Sequence, residues 1–198
     1  MPHDILQPFA YRITPTDRAA LMGHSPALVW FTGLSAAGKS TLADCLAFKL
    51  HRFGIHTAVL DGDTIRCGLN RDLDFTAKGR SENIRRVTEV SQILLDAGLL
   101  VIAAFVSPYR KDRDAVRKKI SPLPFVEVYV KTPITICETR DPKGLYNRAR
   151  LGKIGEFTGI NAEYEEPLEA DIVIPTTQEK PEEASQRIIQ HLQARAIL

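Results

Sequence analysis

The run Gly33-Leu34-Ser35-Ala36-Ala37-Gly38-Lys39-Ser40 sets two glycines, a lysine and a hydroxyl in the pattern G-x-x-x-x-G-K-[ST], with Thr41 following. Glycines let a backbone curl until several N–H groups converge on one anion. A helix opening near Lys39 adds the positive end of its dipole. In such a cradle Lys39 bridges the β- and γ-phosphates of a nucleoside triphosphate, and Ser40 holds Mg²⁺. The chemistry implied is phosphoryl transfer from ATP.

A second cluster lies some twenty residues on. Asp61-Gly62-Asp63 ends an apolar run and is followed by Thr64-Ile65-Arg66. Open parallel sheets bind ligands beyond the carboxyl ends of their strands. Two carboxylates at such an end can serve a metal or take the proton of an attacking hydroxyl. Arg66 is placed to hold an anionic acceptor. Asp and Gly also favour ordinary solvated turns; the phosphate cradle beside them favours the chemical reading.

These residues need a scaffold. Leu28 to Thr32 reads as a buried strand that stops at Gly33, and Lys39 to Phe53 as a helix with Leu42, Leu46 and Leu50 on one face and Gly54 closing it. Thr57 to Leu60 is a second strand. Residues 79–97 form the longest amphipathic helix, with Ile84, Val87, Val90 and Leu94 inward. Leu99 to Val106, the most apolar strand, is placed centrally. A charged helix (112–119), a strand (125–130), a helical turn (133–139), a short strand (171–174) and a closing helix (182–195) complete the pattern. Alternating strands and helices imply an α/β fold, a P-loop NTPase-type parallel β-sheet of about five strands flanked by helices. Residues 1–26 read as an irregular arm with a short helix near Asp17–Met22, and 27–198 as the kinase domain. The polar, Gly-containing segment 140–165 is too long for an ordinary connection and reads as a mobile lid.

Composition excludes several classes. The chain has 198 residues, 44% hydrophobic and 25% charged, and a net charge of +2, so no basic field points to nucleic acid or a membrane surface. Its 3 cysteines, Cys45, Cys67 and Cys137, form no C-x-x-C pair and suggest neither a disulfide framework nor a zinc site. The start Met1-Pro2-His3-Asp4 does not resemble a signal peptide, and Leu99 to Val106 is too short to span a bilayer. A cytoplasmic protein is expected.

Six blocks in order carry a resemblance. They are Gly33 to Thr41, Asp61-Gly62-Asp63 with Arg66, Glu82-Asn83-Ile84-Arg85-Arg86, Phe105-Val106-Ser107-Pro108-Tyr109-Arg110, Asp141-Pro142-Lys143-Gly144-Leu145-Tyr146 and Phe157-Thr158-Gly159-Ile160. Together they resemble the adenylyl-sulfate kinase family from about Asp17 to about Pro175. The resemblance implies transfer from ATP to the 3′-hydroxyl of adenosine 5′-phosphosulfate (APS), giving 3′-phosphoadenosine 5′-phosphosulfate (PAPS) in sulfate assimilation. It also implies Mg²⁺, a homodimer and a cationic lid; fusion to or association with an ATP sulfurylase stays open.

Residue by residue, Arg66 and Arg80 match positions that hold the phosphosulfate, as planar guanidinium forks suit. Asn83 matches a polar substrate contact, and Phe75 and Phe157 match aromatics that sandwich the acceptor adenine. Asp61 and Asp63 match the pair near metal and hydroxyl; Asp63 is assigned to the hydroxyl, Asp61 to metal or base support. Arg140, Arg148 and Lys153 fall on or beside the lid. Cys137 and Arg140 either flank the ATP adenine or, for Cys137, fill the core. Ser107 matches a serine described in the family as phosphorylated, but no base lies near it in sequence; the backbone at Val106–Ser107 is expected to contact the acceptor. Ala36 stands where the family's loop has glycine, which is harmless if its φ is negative.

Two rivals share part of this pattern. Another small-molecule kinase would share the cradle and acidic turn. A GTPase-type switch would carry Asn-Lys-x-Asp, which is absent from the sequence.

Overall fold

The structure is a computed structural model and describes Phe9 and residues 11–198; the first part of the predicted arm lies outside them. The chain runs α1 (Pro15–Met22), β1 (Ala27–Thr32), α2 (Lys39–Arg52), β2 (Thr57–Asp61) and α3 (Gly62–Cys67). It continues with α4 (Ala77–Asp96), β3 (Leu100–Ala104), α5 (Arg110–Ile120) and β4 (Phe125–Lys131). Last come α6 (Ile134–Arg140), α7 (Leu145–Arg150), β5 (Ile172–Pro175) and α8 (Pro181–Ala194).

Every residue of β1 is buried. Its alternating side chains feed two cores: Val29 and Phe31 pack with Leu42, Leu46 and Ile188 on one side, and Leu28 and Trp30 with Ile84, Val87 and Val116 on the other. Burial on both faces is what a helix-covered parallel sheet demands. The sheet is parallel throughout with order β2-β3-β1-β4-β5.

Three expectations need correction. The central strand is β1, paired with β3 on one side and β4 on the other. β3 is equally buried, and apolarity cannot rank two strands that are both covered on both faces. β3 also ends at Ala104, because the chain turns away through Ser107, whose φ is +38°. On α4 the fully buried stripe is Ile84, Val87, Ser91 and Leu95, with Val90 and Leu94 only partly covered. Ser91 tolerates that place by donating to the Val87 carbonyl at 2.8 Å.

The expected lid segment is more ordered than its composition suggests. It contains α7, and its Tyr146 and Phe157 are buried edge to face, 4.9 Å apart. The Tyr146 hydroxyl donates to the Ser35 carbonyl at 3.0 Å, seating this segment on the phosphate loop. Among the described residues no helix is long and apolar enough to cross a membrane.

Candidate active site

The phosphate loop joins β1 to α2. At Gly33, φ +152°, a Cβ would lie 2.6 Å from the Val130 carbonyl oxygen, so the loop can leave β1 only through glycine. Gly38 precedes α2 in a left-handed conformation and gives the helix no side-chain cap, which leaves its first amides open.

Ala36 contradicts the expectation of a negative φ: it sits at +58°. An L-residue there costs about 1–2 kcal/mol. Ala36→Gly removes that strain but adds about 0.5–1 kcal/mol of unfolded-state entropy. The net expectation is a gain of about 0.5–1 kcal/mol, a rise in Tm of about 1–4 °C by calorimetry. A lower Tm would show that the loop stores no strain at this position.

Lys39 is almost fully buried and donates to the carbonyls of Gly33 at 3.0 Å and Leu34 at 2.7 Å. Burial pushes its pKa down to about 8, against the pull of Cys137 and Asp61. The lysine is thus desolvated and folded back on its own loop. Ser40 Oγ donates to Asp61 Oδ2 at 2.5 Å, and Asp61 Oδ1 accepts from the Asp63 amide at 3.0 Å. Two hard oxygens at the mouth of a phosphate loop fit Mg²⁺, which prefers one or two protein oxygens with substrate phosphates and water completing the shell.

Asp63 is exposed and its carboxylate pairs with Lys143. Lys143 lies in one of the matching blocks, but the sequence pattern assigns it no role. The only signal was a lysine beside Gly144 in a polar segment, and its partner stands 80 residues away.

These groups line a cleft of about 680 Å³ together with Phe105, Val106, Arg140 and Thr176. Arg140 lies at the rim and donates to the carbonyls of Ala36 at 3.4 Å and Ala37 at 3.3 Å, and to Thr176. Arg148 and Lys153 are exposed, and neither lines the cleft.

Two expected contacts are not met. Cys137 is 0% exposed within the core, so no ligand reaches its sulfur; burial also raises its thiol pKa. Ser107 is likewise buried. Its hydroxyl accepts from Trp30 Nε1 at 3.1 Å and donates to Thr32 Oγ1 at 2.9 Å. A serine so engaged, with no base beside it, is not built as a nucleophile; Val106 is the residue of this turn that meets the cleft.

Of the remaining expected acceptor residues, Arg66 and Arg80 gather around the Phe75 ring, and none of these, Asn83 and Phe157 included, lines the cleft itself. The Arg66 guanidinium lies 4.3 Å from the Phe75 ring centroid and donates to the carbonyls of Leu73 and Asp74. Arg80 donates to the Phe75 carbonyl at 2.9 Å and to the Glu156 carbonyl at 2.7 Å, tying this cluster to the lid segment. Neither arginine pairs with a carboxylate among the described residues. Burial lowers the pKa of both, and Arg80 lowers that of Arg66 further. Two partly desolvated guanidiniums side by side, offset only from a distance by Asp74 and Glu156, suit an anion. Phe75 is 55% exposed, whereas Phe157 is 8% exposed against Tyr146, so of the expected aromatic pair only Phe75 offers an open ring. Asn83 is buried and accepts from the Asn70 side chain at 3.0 Å.

The family model described as "Adenylylsulphate kinase" matches residues 25–175. An adenylyl-sulfate kinase of Shewanella amazonensis is 55% identical over 168 residues, covering 85% of each chain. One of Oceanobacillus iheyensis is 51% identical over 180 residues, covering 91% of this chain and 90% of the relative. Among solved structures, the Mycobacterium tuberculosis APS kinase in complex with AMPPNP and APS superposes with TM-score 0.83 at 42% identity, over 86% of this chain and 99% of that one. With its phosphate loop, acidic turn and paired arginines inside the matched span, the chain belongs to the adenylyl-sulfate kinase family.

Proposed function

We propose that this protein transfers the γ-phosphoryl group of ATP to the 3′-hydroxyl of adenosine 5′-phosphosulfate, yielding PAPS and ADP. The observation that carries the reading is the pairing of Arg66 and Arg80, two guanidiniums without carboxylate partners among the described residues, in a chain whose phosphate loop holds Lys39 ready. One site suits a nucleoside triphosphate; the other suits a dianionic acceptor.

Phosphoryl transfer asks the protein mainly for position and charge. The loop amides and the open end of α2 receive the β- and γ-phosphates, and Lys39 exchanges two neutral carbonyls for them. Ser40 and Asp61 hold Mg²⁺, which when bound neutralises charge on the phosphates. Arg66 and Arg80 grip the phosphosulfate, Phe75 stacks with the acceptor adenine, and Asp63 aligns the 3′-hydroxyl or takes its proton. The Val106 backbone borders the acceptor, and Arg140 covers the nucleotide side. Transfer is direct and in line, with no step through Ser107. Cytoplasmic location and a homodimeric assembly belong to the same proposal.

The test is an ADP-release assay with APS and Arg80→Ala. Hydrogen bonds to charged groups are worth about 1.5–3 kcal/mol. The APS KM is therefore expected to rise roughly 10- to 100-fold, with the ATP KM unchanged. An unchanged APS KM, or a sugar or nucleoside turned over far faster than APS, would overturn the assignment.

A further inference from the structure

Arg113, on α5, is only 2% exposed and has no part in binding either nucleotide in the mechanism above. Each branch of its guanidinium is engaged. Nε donates to Glu127 Oε1 at 2.8 Å, Nη1 to the Ser107 carbonyl at 2.7 Å, and Nη2 to the Glu165 carbonyl at 2.7 Å. Those three acceptors belong to three places: strand β4, the turn after β3, and the end of the lid segment.

Both carbonyl-bearing segments are held at further points. Ser107 has φ +38°, a conformation that a non-glycine keeps only when its surroundings over-determine it. Its hydroxyl is fixed between Trp30 and Thr32, and Thr32 also donates to the Val106 carbonyl at 2.9 Å. From the lid side, the Tyr164 hydroxyl meets the same Thr32 oxygen at 2.9 Å. The Glu165 amide donates to the Pro108 carbonyl at 2.9 Å, and the Arg110 amide to the Glu165 carboxylate at 2.7 Å. The end of the lid and the turn carrying Val106 into the cleft are therefore a single hydrogen-bonded body, with Arg113 as its buried hub.

We propose that Arg113 is a positioning residue for phosphoryl transfer: through its two carbonyl contacts it locks the end of the lid segment to the Val106–Ser107 turn, and so fixes the acceptor hydroxyl against the γ-phosphate. An ion pair kept only for stability would need Glu127 alone. The second bond reaches backbone of the turn that carries Val106 into the cleft, and the third ties that turn to the end of the lid segment; at a reacting site a displacement of about 1 Å can cost 10²-fold in rate.

The inference rests on the acceptor reading above, and its test separates the two. Arg113→Lys keeps a cation for Glu127 but cannot span both carbonyls. It is expected to raise the APS KM about 10-fold and lower kcat 10- to 100-fold, while binding of a non-hydrolysable ATP analogue, measured without APS, stays at the wild-type value. Glu127→Gln keeps an acceptor for Nε and leaves both carbonyl bonds; it is expected to lower Tm with little change in either KM. Tyr164→Phe, which removes only the hydroxyl on Thr32, carries the test if the lysine variant does not fold, and should shift the APS KM in the same direction. Wild-type kinetics per folded molecule in Arg113→Lys, or in Tyr164→Phe where that variant carries the test, would overturn the proposal. A wild-type enzyme inactive on APS would instead sink the acceptor reading.

Discussion

Lys39→Ala is expected to lower kcat roughly 10³-fold while the protein stays folded. The lysine is the one cation buried within the phosphate loop, and charge aimed at the transferring phosphoryl group is the main thing a phosphotransferase supplies. Stability should survive because the free protein gains little from this ammonium: burial already holds its pKa down to about 8. Circular dichroism melts beside ADP-release kinetics decide the matter, and near-normal turnover would contradict the mechanism. A pH signature accompanies it. The folded pKa lies below the unfolded one, so the unfolded chain holds this proton longer, and Lys39's contribution to stability rises with pH above about 8. Bound phosphates favour the charged lysine. ATP binding therefore takes up a proton above that pH, and affinity falls as pH rises. Calorimetry at alkaline pH in buffers of different ionisation enthalpy reads the uptake, which Lys39→Ala should abolish.

Asp63→Asn is the second large effect, expected to lower kcat about 10²- to 10⁴-fold with ATP affinity intact. Asp63 reaches the cleft from the first turn of α3 and is aligned by two contacts, its amide on Asp61 and its carboxylate on Lys143. The amide side chain keeps the shape but neither takes a proton nor pairs with the lysine. Asp61→Asn makes the contrast. Its carboxylate touches Ser40, so its loss should appear first as a raised magnesium requirement. If Asp63→Asn shifted only the magnesium dependence, the two roles would have to be exchanged.

The parts of this site that could be read from sequence are those whose chemistry is contiguous. Gly33 to Thr41 and Asp61 to Asp63 each hold their functional atoms within one turn of chain, at a strand end that apolar patterning marks. What escaped depends on tertiary approach. Lys143 meets Asp63, and Arg113 meets Glu165, across long separations that no local spacing encodes. Helix α7 was hidden because its inward face is Tyr146 and Ala149 among charges, too little apolar surface for a periodic signal. Ala36 misled because side-chain identity sets only a preference for φ, and the fixed path between Gly33 and Gly38 overrode it. The family resemblance alone raised a covalent role for Ser107, against the lack of a nearby base in sequence; the partners of its hydroxyl, Trp30 and Thr32, reveal a structural peg.

The bare start of α2 has a last consequence. Helices α1, α3 and α4 each begin with a Thr or Asp side chain that satisfies a free amide, whereas Gly38 can do nothing of the kind. The triphosphate supplies what the chain withholds. Completing that first turn and loading the enzyme are therefore one event, and a vacant enzyme should fray where a charged one is tight.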